Sequence, residues 1–219
     1  MGYTHYWRRV KTFDKAAFNR VVEDFKKLLP SLEAAGVKLA GPLGTGEPEI
    51  AGSKIAFNGS VNCGHPAGYD LAIPWPSPDA GGVFAENPVA GTWLAGHLVN
   101  TRTCPGDCSY ESFVLERAYV PLAEWDQPDG GYWFNFCKTA FRPYDLAVTA
   151  VLVIAKHRLG DAIQVSSDGE DAHWFDARLL CQMELGYGLE YIFNADGALI
   201  AKAPRHCRSM TPLLRRGGL

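Results

Sequence analysis

Tyr3, His5 and Trp7 alternate with Thr4 and Tyr6, a two-residue period that predicts a strand from Tyr3 to Trp7, running on toward Val10. The period then lengthens. Phe18, Val21, Val22, Phe25, Leu28, Leu29 and Leu32 recur every three or four positions and make one apolar stripe of a helix. Lys15, Asn19, Arg20, Glu23 and Lys27 occupy its opposite side, Asp14 is placed to cap its start and Gly36 to end it. Pro30 removes a backbone donor, so a kink or break is expected there, with Ser31 capping a final turn.

Further along, Phe113 to Val120 and Tyr132 to Phe136 read as strands. Pro143 opens a second helix and Gly160 closes it. Its residues Leu146–Val148 and Ala150–Ala155 are apolar on nearly every side, the mark of a helix buried all round. Ala162 to Ser166 alternates as a short strand, and Asp171 starts a third helix whose buried side uses Trp174, Ala177, Leu180, Cys181 and Met183. Leu189 to Phe193 and Ala198 to Ala201 flank Asn194-Ala195-Asp196-Gly197, a hairpin signal.

Between about residues 41 and 112 the regular pattern lapses. This stretch holds 12 of the 23 glycines and 8 of the 14 prolines, and Pro74-Trp75-Pro76-Ser77-Pro78 has too few donors for a central strand. The expected architecture is therefore α+β: a single mixed β-sheet with three main helices and a long Gly/Pro-rich insertion. Residues 1–187 form one such domain, with the insertion at about 41–112, and 188–219 add a β-hairpin and a basic tail.

Composition narrows the function classes. The 219 residues are 47% hydrophobic and carry a formal charge of −3, which suits a folded core and argues against a DNA-coating protein. A nucleic-acid contact is expected, if anywhere, only through the tail, where Lys202, Arg205, Arg208, Arg215 and Arg216 follow Asp196 with no acid. No apolar run reaches the roughly 20 residues of a membrane span, and Met1 to Arg9 lacks the apolar core of a signal peptide. A cytoplasmic protein without membrane partners is the expectation. Six cysteines in a chain of this kind point to free thiols or a metal site before a disulfide framework.

Three groups of residues are candidates for chemistry. Strand, buried helix and strand in succession make the two strands parallel, so their carboxyl ends open on one edge. Cys137, Lys138, Thr139 and Arg142 would then lie near Ser166, Ser167, Asp168 and His173. Lys138, Thr139, Arg142, Ser166 and Ser167 have the cations and hydroxyls to hold an anion. Cys137, beside two cations and a helix start, is expected to carry extra thiolate and could act as a nucleophile, with His5 or His173 as base and Asp168 orienting it. The bland alternatives are a packed thiol at Cys137 and a satisfied core histidine at His5. A cysteine-phosphatase loop is excluded, since four residues and no glycine separate Cys137 from Arg142. Gly41-Pro42-Leu43-Gly44-Thr45-Gly46 likewise lacks the Lys-Ser/Thr of a P-loop.

The third group is Cys63, His65, Cys104 and Cys108, at the two ends of the irregular segment. Zinc takes such a donor set, although Cys104 and Cys108 are separated by three residues where the usual knuckle has two. A Cys104–Cys108 disulfide with two free thiols competes with this reading.

Gly2-Tyr3-Thr4-His5-Tyr6-Trp7, Phe57-Asn58-Gly59, Cys104 to Phe113, Phe136-Cys137-Lys138-Thr139 and Ser166-Ser167-Asp168-Gly169 together resemble a family of hypothetical proteins of bacteria and their phages. The resemblance extends to about residue 187. It implies an intracellular, phage-associated origin and brings no activity, cofactor or catalytic residue with it. The leading expectation is thus an intracellular binding protein for a small anionic molecule, a nucleotide or phosphorylated metabolite. The alternatives are a cysteine-dependent hydrolase or transferase, and a protein-interaction factor, with a host protein as partner, whose insertion is clipped by zinc.

Overall fold

The computed structural model describes residues 3–71, 92–94, 97–99 and 102–202. In chain order the elements are β1 (Thr4–Arg9), α1 (Lys15–Ala34), β2 (Leu39–Ala40), β3 (Glu49–Ala51), β4 (Lys54–Gly59), β5 (Tyr69–Asp70), β6 (Thr92–Leu94), β7 (His97–Val99), β8 (Thr103–Cys104), β9 (Phe113–Glu116), β10 (Trp133–Lys138), α2 (Asp145–Leu159), β11 (Ile163–Ser167), α3 (Phe175–Leu185), β12 (Tyr191–Phe193) and β13 (Leu199–Ala201). Three helices on small antiparallel sheets make the fold α+β.

The expected single mixed sheet is replaced by several sheets, and every strand pairing among the described residues is antiparallel. The first sheet has the order β10-β1-β11. β10 and β11 both run against β1, so they are parallel to one another as the crossover through α2 requires, with β1 inserted between them. The second sheet, β2-β4-β3 with β9 also on β4, takes β3 and β4 from the irregular segment and β2 and β9 from its two flanks. The part of the expected insertion that holds the Pro74–Pro78 run lies outside the described residues, as do Cys207 and the basic tail beyond Lys202.

α1 begins where the sequence places it, with the Ala17 amide donating to Asp14 Oδ1 at 2.8 Å. It does not break at Pro30. The helix continues to Ala34, because Pro30 lies on the exposed side and the buried Leu28 and Leu32 hold the last turns to the core. α2 is buried from Asp145 to Ala155, which explains its apolar surface on all sides: α1, α3 and β11 surround it. In α3, Ala177, Leu180 and Cys181 are buried as expected, but Met183 is 52% exposed, since the helix turns that position away from α2.

Buried charge ties the layers together. Asp24 of α1 accepts from Arg158 Nε at 2.7 Å and from the Tyr187 hydroxyl at 2.8 Å, joining α1 to α2 and to the turn after α3. Arg9 of β1 gives its guanidinium to the carbonyls of Glu116 and Arg117, which fastens the first sheet to the end of β9.

Candidate metal centre and the buried network beside it

Cys63 and His65 follow β4, Cys104 ends β8, and Cys108 lies in the loop that leads to β9. The pairing of β5 with β8 sets Tyr69 opposite Cys104, and the His65 ring stacks on Tyr69 with centroids 4.1 Å apart. Gly59 lets the end of β4 approach the Cys108 loop: a Cβ there would come within 1.9 Å of the Cys108 carbonyl oxygen. Gly106, at φ +109, turns the chain between the two cysteines, and its amide donates to Cys104 Sγ at 3.3 Å.

These constraints gather the four donor atoms of Cys63, His65, Cys104 and Cys108 within 4.8 Å of one another. Cys63 Sγ is 3.6 Å from Cys104 Sγ, Cys104 Sγ is 3.3 Å from Cys108 Sγ, and His65 Nδ1 is 3.2 Å from Cys108 Sγ. Tetrahedral coordination with ordinary metal–sulfur and metal–nitrogen bonds needs separations of about 3.6–3.8 Å. The group can therefore hold a metal ion with little movement. The competing disulfide is not formed, as both Cys104 and Cys108 are free thiols. Burial holds the His65 imidazole below its ordinary pKa, which leaves a neutral ring with a lone pair to give.

The second group of candidates clusters at the carboxyl ends of β10 and β11, with β1 between them. His5 is the register partner of both Cys137 and Ser167. Its Nε2–H donates to Asp145 Oδ1 at 2.6 Å, and its Nδ1 meets the Ser167 hydroxyl at 2.9 Å. Thr139 Oγ1 donates to the same Asp145 oxygen at 2.5 Å, and Arg102 Nε donates to the other at 2.8 Å. Arg102 continues to Asp176 at 2.9 Å and to the His173 carbonyl at 3.0 Å. Burial opposes ionisation of Asp145, but His5 and Arg102 outweigh it and hold the carboxyl well below the usual range.

A hydroxyl, an imidazole and a carboxylate in a row are the elements that activate a serine in hydrolases. In this row His5 and Asp145 are both 0% exposed, and the carboxylate already accepts from Arg102 and Thr139. That closure makes it a structural tie between sheet and helices. The turn that delivers Thr139 is strained: Ala140 and Phe141 have φ of 50° and 57°, and the Phe141 ring is pinned against Tyr3 with centroids 4.4 Å apart.

Cys137 does not have the extra thiolate expected of it. The residue is fully buried, and burial, reinforced by the charge of Glu111, pushes its thiol up. Neither cation faces it: Lys138 alternates to the opposite face of β10, and Arg142 turns to the Cys104–Cys108 loop and donates to the carbonyls of Asp107, at 2.6 Å, and Ser109. The anion-binding set is similarly dispersed among internal contacts. Thr139 and Ser167 serve the Asp145 network, Ser166 faces Tyr6 across the sheet, and Asp168 accepts from the Tyr6 hydroxyl at 3.0 Å. Lys138 stays half-buried at the end of β10, its amide bonded to Glu111 Oε2 at 2.7 Å. His173 Nδ1 accepts from the Glu170 amide at 2.9 Å and so caps its own turn, with burial lowering its pKa.

Arg102, Asp145 and Asp176 are absent from the sequence candidates. Asp145 reads as an ordinary helix start, and Arg102 as one cation in a polar loop; only its place two residues before a cysteine ligand candidate sets it apart. No helix among the described residues is long and apolar enough to cross a membrane. No family model matches the chain, and comparison with curated proteins and with solved structures likewise finds no match.

Proposed function

We propose that the protein is a zinc-clipped interaction factor, a binding domain whose metal is structural. The observation that carries this reading is the convergence of Cys63, His65, Cys104 and Cys108 within 4.8 Å. Three thiolates and one imidazole suit zinc better than a harder cation. They also fill all four positions of a tetrahedral site, which leaves none for a water or a substrate. The clip sits where chain segments of distant number meet, and the Leu71 amide donates to the Arg102 carbonyl at 2.9 Å across the base of the intervening segment. One residue, Thr103, separates Arg102 from Cys104, so the metal would also fix the guanidinium that pins Asp145.

Elemental analysis of the purified full chain tests the reading. About one zinc per chain is expected, with Cys104→Ser and Cys108→Ser each losing it. Chelation should lower the melting temperature and expose three thiols to a soluble disulfide reagent while Cys137 and Cys181 stay protected. Less than about one zinc per two chains, in protein purified without chelator, would overturn it.

A further inference from the structure

The outer face of the first sheet carries a pattern that neither the metal centre nor the buried network uses. Phe136 of β10 lies opposite Tyr6 of β1, which lies opposite Ser166 of β11. The next row is Phe134, Arg8 and Gln164. Phe134 and Phe136 are 52% and 55% exposed, unusual for two neighbouring phenylalanines. Their ring centroids are 6.1 Å apart, and Tyr6 stacks on Phe134 at 6.0 Å with planes 24° apart. Lys138 follows Phe136 on the same side of β10, so the face contains three rings and two cations, with one acid, Asp168, at the β11 end of the Lys138 row. Both acids at this face are engaged by its own residues: Asp129, before β10, pairs with Arg8 at 2.8 Å, and Asp168 accepts from the Tyr6 hydroxyl at 3.0 Å, which leaves Lys138 as the cation without an acid partner among the ion pairs of the described residues.

We propose that this face binds a short stretch of single-stranded nucleic acid. Rings on adjacent strands offer flat apolar surfaces on which unpaired bases stack, and sheet faces of this kind serve that purpose in general. Arg8 and Lys138 lie where phosphates of such a strand would pass. The Arg8–Asp129 pair is exposed on both sides, 50% and 78%, so giving it up for a phosphate costs little. Size separates this occupant from a protein. Three strands about 4.8 Å apart and three rows about 6.8 Å apart make a patch of roughly 200–300 Å². A stable protein partner, a second copy of this chain included, needs about 800 Å² on each side. Two or three bases need no more than the face provides.

Fluorescence anisotropy of labelled eight-nucleotide oligo(dT) and oligo(U) with the full metal-loaded chain at low salt is the experiment. Saturable binding is expected for at least one strand, weakening as salt rises and lost on annealing to a complementary strand. The Phe134→Ala/Phe136→Ala variant should bind at least ten-fold more weakly, and Phe134→Leu/Phe136→Leu, which keeps apolar area without rings, should be weakened as well. Both variants should retain the wild-type melting temperature and zinc content, so this proposal can fail while the metal reading stands, and the reverse. No anisotropy change with either strand would overturn it. So would binding that survives both ring variants, which would belong to the basic tail, or self-association abolished by Phe134→Ala/Phe136→Ala, which would assign the face to a second copy.

Discussion

The Asp145 carboxylate receives three side-chain donors, from His5, Thr139 and Arg102, at a position with no exposure. A buried anion of this kind is tolerated only because its partners are complete, and so are those partners. Asp145→Ala should therefore destabilise the fold by about 3–5 kcal/mol, since it strands one side of a buried guanidinium along with an imidazole and a hydroxyl. Asp145→Asn should recover only part of that loss, because an amide nitrogen must then face one of the donors. Urea unfolding of the two variants measures both; a cost below about 1 kcal/mol for the alanine would show that the network contributes little. At this scale the sequence is only partly legible. Inward alternation of Tyr3, His5 and Trp7 can be read directly from the two-residue period. The partner of His5 cannot, because it comes from a residue 140 positions away whose own local signal is that of a helix start. Cys137 shows the opposite failure: nearby cations in sequence suggest a thiolate, and burial reverses it.

Elements with a strong period were the most legible: α1 with its stripe and Asp14 cap, and α2 with Gly160 at its end. Local propensity misjudged Pro30, where tertiary packing of Leu28 and Leu32 carries the helix through. The helix nevertheless lacks the hydrogen bond that Pro30 cannot donate, and the residue is exposed, so nothing in the core depends on its ring. Pro30→Ala should stabilise the protein by roughly 1–3 kcal/mol, with an increase in helical circular dichroism too small to signal a longer helix. A loss of stability would mean that the proline's restriction of the unfolded chain outweighs the missing bond. The sheets were less legible than the helices. Short runs such as Ile55-Ala56-Phe57-Asn58 announce strands, but which strand pairs with which depends on contacts across the whole chain, so one mixed sheet was expected where several antiparallel ones occur. The four candidate metal donors are legible by residue type, and the fold supplies what spacing lacks, by bringing the Cys63–His65 pair onto the Cys104–Cys108 loop.

Across the whole molecule, the buried titratable groups set opposing limits on the pH range of stability. Burial lowers the pKa of His157 and His173, so both stay neutral in the fold while the unfolded chain takes up protons below its ordinary value of about 6.5. Their contribution is complete above that value and is lost as pH falls below it. Asp145, held low by the buried His5 and Arg102, and Asp24, held low by hydrogen bonds from Tyr187, Lys27 and Arg158, add a second loss as pH falls below about 4, partly offset by Asp176, whose carboxyl burial raises. At the alkaline end, burial raises Cys137 and Cys181, so the unfolded thiols ionise first and stability declines above about 8.5. The melting temperature should thus form a plateau between about pH 6.5 and 8.5 and fall on both sides. Loss of metal through protonation of its ligands would steepen the acid side in the same window, and His157→Gln/His173→Gln separates the two effects. That double variant should flatten the decline between pH 6.5 and 5 only by the share the two histidines supply, leaving in place the share due to a metal at the proposed site. An acid limb unchanged by the double variant would show that these two rings do not couple to folding, and that metal release and the carboxylates alone set the lower limit.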